Sequence, residues 1–148
     1  MVDKVEFKSA AYREGKTGMY EFDGSGKTVI AFFPGAFTGA CTDEMCGFRD
    51  QMSEFEDLGA EVIGISVDTP FALEEFSEQN DLNFTLVSDQ DAEIAESYGV
   101  KTAFPDLDLT VAGRAVFVVE EGEVVYTEIL EDPGNLPDME ALKEFLRV

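Results

Sequence analysis

The sequence predicts an α/β fold in which helices cover both faces of a mixed central β-sheet. Three observations carry this. Thr28 to Phe33 and Glu61 to Val67 are apolar runs, the pattern of sheet strands buried on both faces. Between them Cys41, Met45, Phe48, Met52 and Phe55 recur at spacings of four, three, four and three, the stripe of an amphipathic helix. Further on, Ala115 to Val119 and Val124 to Ile129 flank Glu121-Gly122, which reads as a β-hairpin and adds antiparallel strands.

In chain order, Val5 to Phe7 and Met19 to Phe22, ahead of the turn Asp23-Gly24-Ser25-Gly26, read as a short hairpin or meander. The strand Thr28 to Phe33 stops at Pro34, and a loop from Gly35 to Ala40 follows. A helix runs from Cys41 or Thr42 to Asp57, and with the strand at Glu61 completes a right-handed βαβ unit. Thr69 caps a second helix whose first position is Pro70. Phe84 to Val87 is a short strand, and Asp91 to Tyr98 a helix stopped by Gly99. After the Glu121-Gly122 hairpin, Asp138 to Leu146 closes the chain as an amphipathic helix with Met139, Leu142 and Leu146 on one side. A βαβ unit followed by a ββα unit is the thioredoxin-like arrangement, expected here as a single domain over residues 1–148.

Composition narrows the function classes. A chain of 148 residues with 45% hydrophobic residues and 13 Phe can build a substantial core. No apolar stretch approaches the ~20 residues that cross a bilayer, and MVDKVEFKSA lacks the basic start and apolar core of a signal peptide. The expected location is therefore the cytoplasm. With 10 Lys and Arg against 32 Asp and Glu, the net charge is −22. An aromatic content of 11% argues against acidic disorder. Acidic residues spread along the chain suit a folded domain with an acidic shell, as in proteins of a high-salt cytoplasm. Such a surface repels nucleic acid and anionic membranes.

There are two cysteines, Cys41 and Cys46, and no histidine. A disulfide closing so short a loop adds little to fold stability, so the pair points to redox or metal chemistry. Two soft ligands fall short of the four of a structural zinc site, so neither metal nor cofactor is expected. Other readings of the local motifs fail on composition. Gly26-Lys27-Thr28 has Glu21 where a P-loop needs its first Gly, and it enters a strand. A C-x5-R phosphatase would need Arg at position 47, which is Gly. A cysteine protease would need a His base. Cys41 remains open to two readings: a small buried apolar residue, or a thiol at a helix N-terminus, where free amides and the helix dipole favour the thiolate.

The segment Phe32-Phe33-Pro34-Gly35-Ala36-Phe37-Thr38-Gly39-Ala40-Cys41-Thr42-Asp43-Glu44 resembles the P-x-x-x-T-x-x-C active-site segment of the peroxiredoxins. Cys46-Gly47-Phe48-Arg49-Asp50 is similar to their PrxQ or bacterioferritin-comigratory branch, and F-F-P-x-A-F-T-G-x-C also resembles the AhpE-like one-cysteine branch. Gly113-Arg114-Ala115-Val116-Phe117-Val118-Val119 resembles the family's strand that carries an active-site Arg. The resemblance runs from about Gly26 to Leu146; the usual G-D-x-A-P-x-F opening is missing.

The resemblance implies a thiol peroxidase that reduces hydrogen peroxide and organic hydroperoxides. Cys41 would be the nucleophile, Arg114 the cation against its thiolate, and Thr38 a hydroxyl partner of sulfur and peroxide. Pro34 would shape the loop and shield the oxidised sulfur. Glu44 would accept from the Arg and hold it, unless it is simply an acid in the first helical turn. A thiol near pKa 8.5 is only about 3% ionised at pH 7, and lowering it to about 6 takes roughly 3.4 kcal/mol. The helix end supplies at most about 2 kcal/mol, while Asp43 and Glu44 oppose ionisation by like charge, so a close buried cation is needed.

Attack leaves a sulfenic acid at Cys41, with which Cys46 can condense. On an intact helix two residues five apart have Cα atoms roughly 8.6 Å apart, beyond the ~4.4–6.8 Å of a disulfide. The helix start must therefore unwind. Cys46 shares its helix side with Asp50, Ser53 and Asp57, the side expected to face solvent. A thioredoxin-like dithiol protein is the expected reductant, and monomer and homodimer both stay open. The alternatives are a one-cysteine peroxidase resolved by an external thiol, and a non-catalytic redox sensor or interaction module on the same scaffold.

Overall fold

A computed structural model describes the chain except Met1, Asp3, Pro105, Pro133 and Val148. Its centre is set by two adjacent strands, β3 (Lys27–Phe32) and β4 (Glu61–Ser66), paired in parallel. Both are buried on both sides. In β3, Val29 and Ala31 pack with Phe33 in one cluster while Ile30 and Phe32 enter another, so the period-two alternation of a strand feeds two cores. Around this centre the main sheet runs in the order β2 (Lys16–Phe22), β1 (Phe7–Arg13), β5 (Thr85–Ser88), β4, β3, β8 (Ala115–Glu120), β9 (Glu123–Ile129). Strand β5 is parallel to β4, and β8 is antiparallel to both β3 and β9. The mixed sheet covered on both faces agrees with the predicted thioredoxin-like class.

One face carries α1 (Gly39–Asp50), α2 (Met52–Asp57), α3 (Pro70–Asn80) and α5 (Met139–Leu146), through Met45, Phe48, Phe55, Leu73, Phe76 and Leu142. The other carries α4 (Glu93–Ser97) and its flanks, through Ile94, Ala95 and Tyr98. The predicted Thr69 cap is in place: its Oγ1 accepts from the Ala72 amide at 3.1 Å, with Pro70 opening α3. Asp138, expected as the first residue of the last helix, is its N-cap, and its Oδ1 accepts from the Ala141 amide at 3.0 Å. No described helix is long and apolar enough to cross a membrane.

Four elements differ from the sequence expectation. The N-terminal hairpin pairs β1 (Phe7–Arg13) with β2 (Lys16–Phe22), longer than expected, and turns at Glu14-Gly15. Both turn residues have positive φ, 51° and 81°, the signature of a tight hairpin turn. The same dipeptide at Glu121-Gly122 (48° and 82°) is legible because apolar strands flank it; β1 and β2 are too polar and exposed to frame theirs. The helix expected from Cys41 to Asp57 begins two residues earlier and breaks at Gln51 (φ −112°, ψ 11°). Its stripe nonetheless survives the break, with Cys41, Met45, Phe48, Met52 and Phe55 all buried. The helix expected over Asp91 to Tyr98 shortens to α4, because Asp89 accepts from the amides of Ile94 and Ala95 and starts it late. Finally, β6 (Lys101–Phe104) and β7 (Leu109–Ala112) form a separate two-stranded sheet that the sequence reading lacked.

Candidate active site around Cys41

The site lies where the C-terminal end of β3 meets the start of β8. Their antiparallel register pairs Phe32 with Ala115, so Pro34 on one chain and Arg114 on the other emerge side by side. Helix α1 then starts at Gly39 behind the cap residue Thr38, whose carbonyl accepts from the Thr42 amide at 2.9 Å. Cys41 is the third residue of α1, within the first turn, where amides lack intrahelical partners. It is 1% exposed.

Arg114 joins the two halves. It is 2% exposed; its Nη1 donates to Glu44 Oε1 at 2.5 Å and its Nη2 donates to Cys41 Sγ at 3.3 Å. Cys41 and Glu44 are three apart on α1 and so lie on one face, which lets a single planar guanidinium grip both. The expected roles of Glu44 as holder of an Arg and of Arg114 as the cation beside the thiol therefore have the geometry they need. Asp43, in contrast, is exposed. Glu44 is not an acid of a solvated helix turn.

The electrostatics of this triad are tense. Burial pushes the Glu44 carboxyl up to about 8, against the downward pull of Arg114. A short ion pair argues for the carboxylate; the rest of the carboxyl argues against it, since Oε2 has no hydrogen-bond partner among the described residues. The net direction is upward, because a fully buried carboxyl loses more hydration than one partner returns. For Arg114, burial acts against the charge, yet Glu44 and Cys41 together raise its pKa above the ordinary value. One guanidinium thus serves both the carboxyl and the sulfur. A proton held on Glu44 leaves the cation to the sulfur.

Other predicted residues are placed as follows. Pro34 is buried and, with Arg114, Gly113, Val100, Phe104 and Ile129, lines a cavity of about 350 Å³. A larger cleft of about 520 Å³ contains neither cysteine nor Arg114. Thr38 is exposed, and its hydroxyl donates to the Gly35 carbonyl at 2.9 Å. Cys46 corrects the expectation of a solvent-facing side: it is half-buried against α3, its Sγ 3.7 Å from Asn80 Oδ1. The physical reason is that α3 packs along that flank, where Arg49 Nη1 also donates to the Asn80 carbonyl at 2.5 Å. Both cysteines are free thiols within the unbroken helix α1. No group of three or more His, Cys, Asp or Glu among the described residues could hold a metal ion.

Two site features escaped the sequence reading. Phe37 has a positive φ of 68°, rare for a bulky residue, and nothing in its identity signals it. Asp68 accepts the Ala36 amide at 2.7 Å. Its signal was an acid directly after a buried strand, at the strand end where α/β folds place their sites.

Comparisons with known proteins bear on the fold and the family. Enterococcus faecalis AhpC superposes with a TM-score of 0.85 at 21% identity, covering 99% of this chain and 90% of its own, a likeness of fold. A putative Bcp peroxiredoxin of Haemophilus influenzae is 50% identical over 74 residues, 50% of this chain and 48% of its own. The chloroplastic peroxiredoxin Q of Populus jackii is 38% identical over 114 residues, 76% of this chain and 52% of its own. The chain thus spans about half the length of the curated relatives it matches. The AhpC/TSA family model matches residues 3–127, which include Cys41, Glu44 and Arg114, and the chain accordingly belongs to the AhpC/TSA family, in which it is similar to Bcp and peroxiredoxin Q.

Proposed function

We propose that the protein is a thiol-dependent peroxidase that reduces hydrogen peroxide and organic hydroperoxides at Cys41. The observation that carries this reading is the buried contact of Arg114 Nη2 with Cys41 Sγ at 3.3 Å. A permanently charged donor against sulfur, in a site shielded from water, suits a sulfur nucleophile and the negative charge that develops on the peroxide. The thiolate sulfur attacks one oxygen of ROOH and the O–O bond breaks. The leaving RO⁻ takes up a proton to become ROH, and Cys41 becomes the sulfenic acid. Thr38 and the loop amides next to it are the groups that meet the peroxide oxygens, and Pro34 shields the oxidised sulfur.

In the same proposal Cys46 resolves the sulfenic acid: its thiol condenses with Cys41 sulfenic acid, water leaves and an intramolecular disulfide forms, which a thioredoxin-like dithiol protein reduces. Because α1 is continuous from Gly39 to Asp50, its first turns must open for the two sulfurs to meet. The test is peroxide consumption with a dithiol reductant. Cys41→Ser abolishes it, and an unchanged turnover in that variant defeats the reading. Intact mass after one equivalent of peroxide separates the cycles: loss of two hydrogens marks the Cys41–Cys46 disulfide, and a retained oxygen or a mixed disulfide marks resolution by an external thiol. A reaction with peroxide no faster than that of free cysteine would favour the sensor.

A further inference from the structure

The loop between β3 and α1 is held in a conformation its sequence does not prefer. Phe37 sits at φ 68°, in the left-handed region that a bulky side chain avoids. Such a residue persists only where its surroundings fix it. One tie, the Thr38 hydroxyl to the Gly35 carbonyl at 2.9 Å, is internal to the loop. A second is the edge-on packing of the Phe37 ring against Phe76, centroids 5.4 Å apart, although Phe37 is half-exposed. The third is different in kind. Asp68, two residues past the end of β4, accepts the amide N–H of Ala36 at 2.7 Å, on the residue just before the strained one.

Asp68 is itself fixed from several directions. The same Oδ2 accepts from Ser66 Oγ at 2.7 Å, and the Asp68 amide donates to that hydroxyl at 3.3 Å. Its carbonyl accepts from Ser88 Oγ at 2.6 Å, and the Ser88 carbonyl accepts from Ser9 Oγ at 2.6 Å. A chain of short hydrogen bonds thus runs from β1 through the end of β5 to the end of β4 and into the loop. It anchors the loop to three strands of the main sheet. A charged acceptor on a backbone amide is also among the stronger single hydrogen bonds available.

We propose that Asp68 is a positioning residue for peroxide reduction: by gripping the Ala36 amide it fixes the loop carrying Phe37 and Thr38, and so the donors that meet the peroxide. This rests on the peroxidase reading above. It separates two properties of the site. The thiol is served by Arg114, Glu44 and the start of α1, whereas Asp68 bonds Ala36, Ser66 and Ser88. Peroxide alignment depends on the loop, where a misplacement near 1 Å can cost about a hundredfold.

The experiment compares Asp68→Ala and Asp68→Asn in the full chain. It measures single-turnover reaction of the reduced protein with hydrogen peroxide and, at the same pH, alkylation of Cys41 by iodoacetamide, which needs no peroxide donors. Asp68→Ala is expected to slow the peroxide reaction about tenfold or more while alkylation stays within about twofold. Asp68→Asn, whose side-chain oxygen can still accept the Ala36 amide, recovers most of the rate. A peroxide rate in Asp68→Ala within twofold of the parent overturns the proposal. So does a parallel fall in both reactions, or no recovery in Asp68→Asn. If Asp68→Ala does not fold, Ser66→Ala takes its place, since it removes one brace of the carboxylate; a peroxide-selective loss supports the proposal and none refutes it. Should the parent protein itself react no faster than free cysteine, it is the peroxidase reading that fails.

Discussion

Arg114→Met removes the guanidinium that holds both Cys41 and Glu44 while keeping an unbranched, uncharged stem. Two losses follow. The Nη2 contact to Cys41 Sγ at 3.3 Å disappears; a charge-assisted hydrogen bond is worth about 1.5–3 kcal/mol, and each 1.36 kcal/mol is tenfold in rate. The reaction with peroxide at pH 7 should therefore slow by roughly tenfold to a hundredfold. The Nη1 contact to Glu44 at 2.5 Å disappears as well. Breaking a buried pair by removing one partner costs about 3–5 kcal/mol. Here Glu44 is already pushed up to about 8 by burial, against Arg114. At about 8 it already holds its proton for the most part at pH 7, so no lone buried anion is left when the guanidinium goes, and the stability loss belongs at the lower end, about 3 kcal/mol. The protein has no Trp, so the rate is best followed by competition with a reporter peroxidase and by intact mass, and stability by urea unfolding read by circular dichroism. Arg114→Lys keeps a charge without the two-armed grip and should fall between. An Arg114→Met protein with native circular dichroism and a peroxide rate within twofold of the parent would refute the reasoning.

Glu44→Gln tests the buried carboxyl through pH. A folded-state value of about 8 against an ordinary 4.5 means the unfolded chain gives up this proton first. The parent's stability relative to Glu44→Gln must then fall as pH rises from about 4.5, and level off above about 8; a constant difference in urea midpoints between pH 5 and 8.5 contradicts this. Gly64→Ala tests packing beneath the site: the added methyl would lie 2.9 Å from Leu86 Cδ2, 3.1 Å from Met45 Sδ and 3.3 Å from Phe33 Cε1. Overpacking of this kind costs about 1–3 kcal/mol, and unaltered thermal stability would show that the β4–α1 contact is looser than described. The net charge of −22 should also be felt as self-repulsion. Raising KCl from 0.1 to 1 M shortens the screening length from about 10 to about 3 Å and is expected to raise Tm by roughly 5 °C; a flat Tm rules out a large repulsive contribution.

Much of the architecture was legible because local patterns agreed with the global fold. The β3 and β4 runs, the α1 stripe, the Thr69-Pro70 start and the second Glu-Gly turn each carry a period or a cap that only one element satisfies. The N-terminal hairpin was legible only in outline, because β1 and β2 are largely exposed and their residues are not selected by burial. The β6–β7 pair was missed for the same reason: three of the four β6 residues are exposed. The break at Gln51 left no trace either, since the apolar stripe continues across it.

The candidate site divides along the same line. The sequence by itself supplied the candidate reactive group: a thiol opening a helix after a strand, with a second thiol five residues on and no histidine to serve as a base. Only the tertiary structure decided the environment. Arg114 lies 73 residues from Cys41 and 70 from Glu44, and the β3–β8 register brings it to both. The turn of α1 decides that Glu44 shares the buried face of Cys41 while Cys46 packs against Asn80. Spacing along the chain fixes which residues share a helix face. Charge, burial and competition for one cation are properties of atoms brought together from distant segments, and no local pattern encodes them.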